Sequence, residues 1–253
     1  MAHDPGDEDA LARTYEAALR TLEAAHPRRE YVREYVCARR EAVPAPPIKG
    51  PVPTLSLEAL LATAPTRYGR WRQAYSGRPI WPLDPRPGDF LIDDLARHLA
   101  SIPRYGGAQA TLKHQLSVAQ HSVAVSYMGS PAYARHKLVH DMAEAITGVD
   151  MPAPIKSDRA LASWRAIEDR CQEALLVQLG LDPHDTGDTA EMDRRILEYE
   201  RVQVMRDSAL PWPGQPALLV SSRTIDVDPL PRWDAYMLFV QRFLELFPGY
   251  RVY

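Results

Sequence analysis

Apolar positions in this chain recur mostly at intervals of three and four, and seldom alternate, so the pattern predicts helices along most of its length. Over residues 8–41, Leu11, Tyr15, Ala18 and Leu22 form one stripe, followed by the basic, tyrosine-bearing "RREYVREYVCARR". "VPAPPIKGPVP" (43–53) interrupts the pattern and reads as an extended linker, because proline fixes its own φ and restricts its predecessor. The sequence therefore predicts an N-terminal helical extension and linker over 1–66 and a main domain over 67–253. The breaker-rich "GRPIWPLDPRPGDF" is a loop, and "LIDDLARHLASI" a short helix with acids at its start. Longer helices are expected near 110–128, 132–147, 159–180, 189–208 and 233–247, with a short hairpin over 218–227. In the first of these, Leu112, Leu116, Ala119 and Val123 follow at intervals of four, three and four. The expected fold class is all-α, a helical bundle.

Composition narrows the class of molecule. A hydrophobic share of 45% in 253 residues is ordinary for a globular chain with a real core. The net charge of −3 gives no basic field for a nucleic-acid polymer. Only Cys37 and Cys171 occur, which fits a reducing compartment without a disulfide framework. No run is apolar enough to span a membrane, and the acidic N-terminus has no signal-peptide core. The expectation is a soluble, cytoplasmic protein.

The candidate chemistry is concentrated in "HKLVHDMAEAITGVD" (136–150). On a helix His140 and Glu144 are i, i+4, while Asp141 and Glu144 are i, i+3, so the three crowd one side. An imidazole beside a carboxylate offers one nitrogen and one oxygen to a divalent cation, but two ligands alone hold metal weakly. His121, in "SVAQHSVAVS", shares a helix side with Val118, Val125 and Met128, where an unpartnered imidazole is costly. Asp193 and Glu200 fall on a stripe with Leu197 and Val204 and put two acids on an otherwise apolar face. Blander explanations exist for each: a hydrogen-bonded core histidine, or an Asp193 paired with Arg194, Arg195 or Arg97.

The order His…His-Asp…Asp, with "PLDPRPGDFLIDDLARHLASIPRYGG", "LSVAQHSVAVS", "VHDMAEAITGVDMPAPIK" and "EMDRRILEYERVQVM" in sequence, resembles the HD-domain metal-dependent phosphohydrolases. The likeness is to phage members, similar to bacterial 5′-deoxynucleotidases and, more distantly, to phage dATP triphosphohydrolases. It covers about residues 75–210. It implies an HD-domain helical bundle in which His121, His140, Asp141 and Asp193 hold one divalent metal, whether Mn, Co, Zn or Mg. Glu144 would stand beside the water that the metal activates, and Asp150 could protonate the leaving sugar oxygen. Arg104 matches the arginine that contacts phosphate, and Tyr105 stands where the bacterial enzymes have Trp. Asp150 and Lys156 match the segment closing the substrate pocket, and Glu200 a more variable acidic position near the substrate. One residue, Val149, lies in excess between Glu144 and Asp150 relative to the bacterial enzymes.

The function this implies is hydrolysis of 2′-deoxynucleoside 5′-monophosphates to phosphate and nucleoside. The alternative is a deoxynucleoside triphosphate triphosphohydrolase releasing tripolyphosphate, with Lys113, Lys156 and Arg194 available for the outer phosphates. A third possibility is an inactive nucleotide-binding HD module. The expected partner is a small nucleotide, with no nucleic-acid polymer and no membrane. A homo-oligomer is also expected, from the resemblance and from the apolar "YMLFVQRFLELF", and host cytoplasm if a phage encodes the chain.

Overall fold

The computed structural model describes residues 50–210, 212 and 225–252. The expected helices of 8–41 and the first part of the hairpin lie outside these residues. Among the described residues, nine α-helices are joined by loops and short 3₁₀ turns: α1 (Leu57–Ala62), α2 (Ile92–Leu99), α3 (Val118–Ser126), α4 (Ala134–Val139), α5 (Met142–Thr147), α6 (Ala153–Lys156), α7 (Ala162–Gln178), α8 (Thr189–Val204) and α9 (Arg232–Leu246). One two-residue antiparallel pair, β1 (Arg72–Gln73) with β2 (Pro79–Ile80), completes the architecture. The expected all-α class is what is observed. Among the described residues, no helix is long and apolar enough to cross a membrane.

Helix α3 is the centre of the bundle. Ser117 caps it by accepting from Gln120 N, and all its residues but Ala124 are buried, so it has no solvent face. α4, α8 and α9 pack around it, and α2 and α5 extend the layer to α7. Five apolar residues of α9 (Tyr236, Met237, Phe239, Val240 and Phe243) are buried within the chain, while Trp233 and Leu244 are exposed. Most of the stretch "YMLFVQRFLELF" thus contributes to the protomer's own core.

Two expectations need correction. The helix expected over 110–128 begins only at Val118, and Leu112, placed in its stripe, is 90% exposed. The preceding residues form a loop because Gln109 ties up their backbone groups: its Oε1 accepts from Leu116 N, and its Nε2 donates to the carbonyls of Arg104 and Leu116. The helix expected over 132–147 is broken into α4 and α5 at His140 and Asp141.

Residues 50–66, expected to belong with the N-terminal extension, are fastened to the helical body. Leu60 is fully buried, Val52 N donates to Gln178 O, and Thr54 Oγ1 donates to Phe90 O. Gln178 is the hub of this region. Its Oε1 accepts from Gly88 N and Phe90 N, while its Nε2 donates to Phe90 O and Tyr250 Oη. The turn between α3 and α4 is fixed by Lys137, whose fully buried ammonium donates to Met128 O, Ser130 O and Asp188 Oδ1.

Candidate metal centre

Four side chains from three parts of the bundle converge. His121 projects from the middle of α3, His140 and Asp141 occupy the break between α4 and α5, and Asp193 lies in the second turn of α8. One potential ligand atom from each lies within 4.8 Å of all the others. His121 Nε2 is 3.1 Å from Asp193 Oδ1 and 3.5 Å from Asp141 Oδ2, while His140 Nε2 is 3.2 Å from Asp141 Oδ2 and 3.6 Å from Asp193 Oδ1. The two Nε2 atoms are 3.3 Å apart. Two ring nitrogens that close have no reason to meet unless something between them accepts both lone pairs, or both rings carry protons toward the acids.

The far side of each imidazole is held as a metal ligand's would be. His121 Nδ1 stands 2.6 Å from Glu200 Oε1, and His140 Nδ1 stands 2.7 Å from Lys137 O. With Nδ1–H donating to those oxygens, each Nε2 presents its lone pair to the cluster. The set of two nitrogens and two carboxylate oxygens, partly buried, can hold a divalent metal ion. Without one, the four groups neutralise each other. Burial works against charge on His121 and His140, yet Asp141 and Asp193 hold the His140 imidazole well above its usual range, and Glu200 and Asp193 raise His121. Burial likewise opposes ionisation of Asp141 and Asp193, but the imidazoles keep both well below the usual carboxylate range. Asp193 thus pairs with the two histidines and not with the arginines that offered a blander explanation. Arg97 is engaged with Asp93 at 2.7 Å, and Arg195 with Glu191 at 3.6 Å.

Around the cluster, the other expected residues fall into place unequally. Arg104 Nη1 is 3.3 Å from Asp150 Oδ2 and 3.7 Å from Asp141 Oδ2, and its Nε is 3.7 Å from Glu200 Oε2. Burial opposes its charge, but Glu200, Asp150 and Asp141 outweigh it and keep the guanidinium firmly protonated. Glu144 is 4% exposed, and its Oε2 has no hydrogen-bond partner. Burial first, then Asp141 and Asp150, push its carboxyl up to about 10. Burial raises Asp150 as well. Lys156 is engaged with Glu168 at 2.9 Å, on α7, within the electrostatic reach of Glu144 and Asp141.

Glu200 sits behind His121 and not in open space. It is fully buried, and its second oxygen accepts from Tyr105 Oη at 2.5 Å. Tyr105 itself adopts φ 59°, ψ 26°, a left-handed backbone that a bulky residue rarely visits. The Tyr105–Glu200–His121 chain over-determines that conformation. The sequence pattern did not single out Gln109 or Gln172, each of which orders the backbone next to a site residue, or Lys137, whose carbonyl meets His140 Nδ1. A signal for Gln172 existed: it lies four residues from both Glu168 and Leu176, on the inward stripe of α7.

No protein-family model matches the chain. The chain is similar to an uncharacterized protein of Rhodobacter capsulatus, 33% identical over 118 residues, which make up 44% of this chain and 59% of the relative. It spans about three-fifths of that relative's length.

Proposed function

We propose that this chain is a metal-dependent phosphohydrolase of the HD type that removes phosphate from 2′-deoxynucleoside 5′-monophosphates. The observation that carries this reading is the convergence of His121, His140, Asp141 and Asp193 within 4.8 Å, next to the buried arginine Arg104 and the buried Glu144, whose Oε2 has no hydrogen-bond partner. The two imidazole nitrogens favour Mn²⁺, Co²⁺ or Zn²⁺ over Mg²⁺, which prefers oxygen ligands throughout. A divalent ion held there supplies Lewis acidity, lowering the pKa of water and polarising a phosphate.

The chain's own residues do the rest. Arg104 offers a planar fork to the phosphate oxygens, a geometry Lys would not reproduce. In the metal-free cluster, burial together with Asp141 and Asp150 keeps Glu144 protonated; beside a bound divalent cation it would be ionised and would take the proton of the attacking water. Water oxygen bonds to phosphorus as the P–O5′ bond breaks, and Asp150, raised by burial, donates a proton to the departing sugar oxygen. The products are inorganic phosphate and a deoxynucleoside.

Charge favours a monophosphate over a triphosphate. Among the described residues, Arg104 is the Lys or Arg that reaches a cluster carboxylate within 4.0 Å. Lys156 is engaged by Glu168, while Lys113 and Arg194 are exposed and form no ion pair with the four ligands. Beyond Arg104, the described residues thus offer little cationic compensation for a tail of three phosphates.

The test is product analysis. The purified protein with Mn²⁺ or Co²⁺ is incubated with all ribo- and deoxynucleoside mono-, di- and triphosphates, and products are separated by ion exchange. Phosphate released from deoxynucleoside monophosphates, and lost in Glu144→Gln, is the expected result. Tripolyphosphate from one triphosphate would replace this assignment with a triphosphohydrolase, and binding without turnover would replace it with a nucleotide sensor.

A further inference from the structure

Adjacent residues of an α-helix leave it about 100° apart, so on a continuous helix the Cβ atoms of His140 and Asp141 diverge. The break between α4 and α5 is what brings them together, and it has an identifiable cause. In an unbroken helix Ala143 N–H would donate to Val139 O, four residues back. Here the side-chain amide of Gln172, reaching across from α7, occupies that rung. Ala143 N donates to Gln172 Oε1 at 3.1 Å, and Gln172 Nε2 donates to Val139 O at 2.8 Å. A side chain inserted into the backbone ladder kinks a helix. The kink falls at Asp141, whose φ −103°, ψ 13° lies outside the helical well, and Glu144 N then reaches Asp141 O in a tighter turn at 3.0 Å.

We propose that Gln172 is the positioning residue of the metal centre: its amide holds one helical rung open so that two consecutive residues can serve as ligands. This rests on the metal-centre reading and is independent of the substrate. The role demands a glutamine. The group must accept at one end and donate at the other across a gap a full rung wide. Glu has no donor, Asn is one methylene short, and Leu has neither function. The open rung also sits beside His140, whose Nδ1 meets Lys137 O in the last turn of α4, so the break and the imidazole's orientation are parts of one arrangement.

A cavity of about 290 Å³ borders both Gln172 and His140. Truncation to Ala would let water enter and bridge the same two backbone groups. Leu fills the space and bridges nothing, so Gln172→Leu is the sharper test, with Gln172→Glu as its companion. Each protein is stripped of metal and titrated with Co²⁺, following heat and the visible absorption of the bound ion, alongside circular dichroism and thermal melting. The expected result is a Kd for Co²⁺ raised about 10–100-fold in Gln172→Leu, with an altered visible spectrum and undiminished helical signal. Gln172→Glu keeps the acceptor for Ala143 N, loses the donor to Val139 O, and falls in the same direction. It decides the matter if the leucine variant does not fold. A Kd within twofold of wild type in the folded variants, whatever happens to the melting temperature, overturns the role. Wild-type protein that takes up no Co²⁺ would instead remove the metal centre itself, and the role with it.

Discussion

Replacing Glu200 by Gln should separate what its charge does from what its shape does. Glu200 is fully buried, with one oxygen 2.6 Å from His121 Nδ1 and the other 2.5 Å from Tyr105 Oη. Glutamine is nearly isosteric. Its carbonyl can accept from His121, and its amide can donate to the Tyr105 oxygen, so no buried polar atom is stranded. What disappears is the negative charge that raises the basicity of His121 as a ligand and, with Asp150 and Asp141, holds Arg104 protonated. Loss of a carboxylate behind a metal-bound histidine lowers metal affinity about 10–100-fold, or roughly 1.4–2.7 kcal/mol. Calorimetric titration of the metal-free protein with Co²⁺ or Mn²⁺ reads this directly, and thermal melting checks that the fold is intact. Glu200→Ala should differ in kind. It strands His121 Nδ1 and the Tyr105 hydroxyl, at about 1–3 kcal/mol of stability for each buried group, besides weakening the metal. A Glu200→Gln protein that binds metal as tightly as wild type would refute the view that Glu200 acts through His121. A loss of substrate affinity with metal binding unchanged would return Glu200 to the substrate side of the site.

Three further outcomes are expected. Because His121 and His140 are held above the usual imidazole range without metal, they bind protons more tightly than a free imidazole, and a metal must compete with those protons. Titrations in buffers of different ionisation heat should show proton release, with affinity climbing as pH rises, and zero release at pH 7 would contradict this. Glu144→Gln should lower turnover about 10²–10⁴-fold. It should also stabilise the metal-free protein at pH 8: a carboxyl raised to about 10 in the folded state favours folding fully below its unfolded pKa, and that favour is lost as pH rises toward 10. An unchanged melting temperature between pH 5 and 9 in both proteins would count against a buried, proton-hungry Glu144. Lys137→Met strands Asp188 Oδ1 and two backbone carbonyls, and should cost about 3 kcal/mol in urea unfolding, with a loss under about 1 kcal/mol arguing that solvent reaches them.

The bundle was legible because most helices carry an apolar face that the 3.6-residue period exposes, as α9 does with Tyr236, Val240 and Phe243. That same signal misled at α3. A helix buried on every side has no stripe to reveal its ends, and the apparent continuation through Leu112 was a coincidence of spacing in a loop that Gln109 organises. The ligands were legible for a different reason. His121, Asp193 and Glu200 interrupt apolar surroundings, and a polar group in such a place must be answered by another. What answers it comes from elsewhere in the chain. Periodicity placed His140, Asp141 and Glu144 on one continuous helix, and by that geometry the two adjacent ligands diverge. The correction arrives from residue 172, about thirty positions on, through an amide that substitutes for a backbone rung. Local pattern can report that a helix forms, because its causes lie within a few residues. It cannot report where a distant side chain opens that helix, and in this protein the opening is what places His140 and Asp141 on the same side of the cluster.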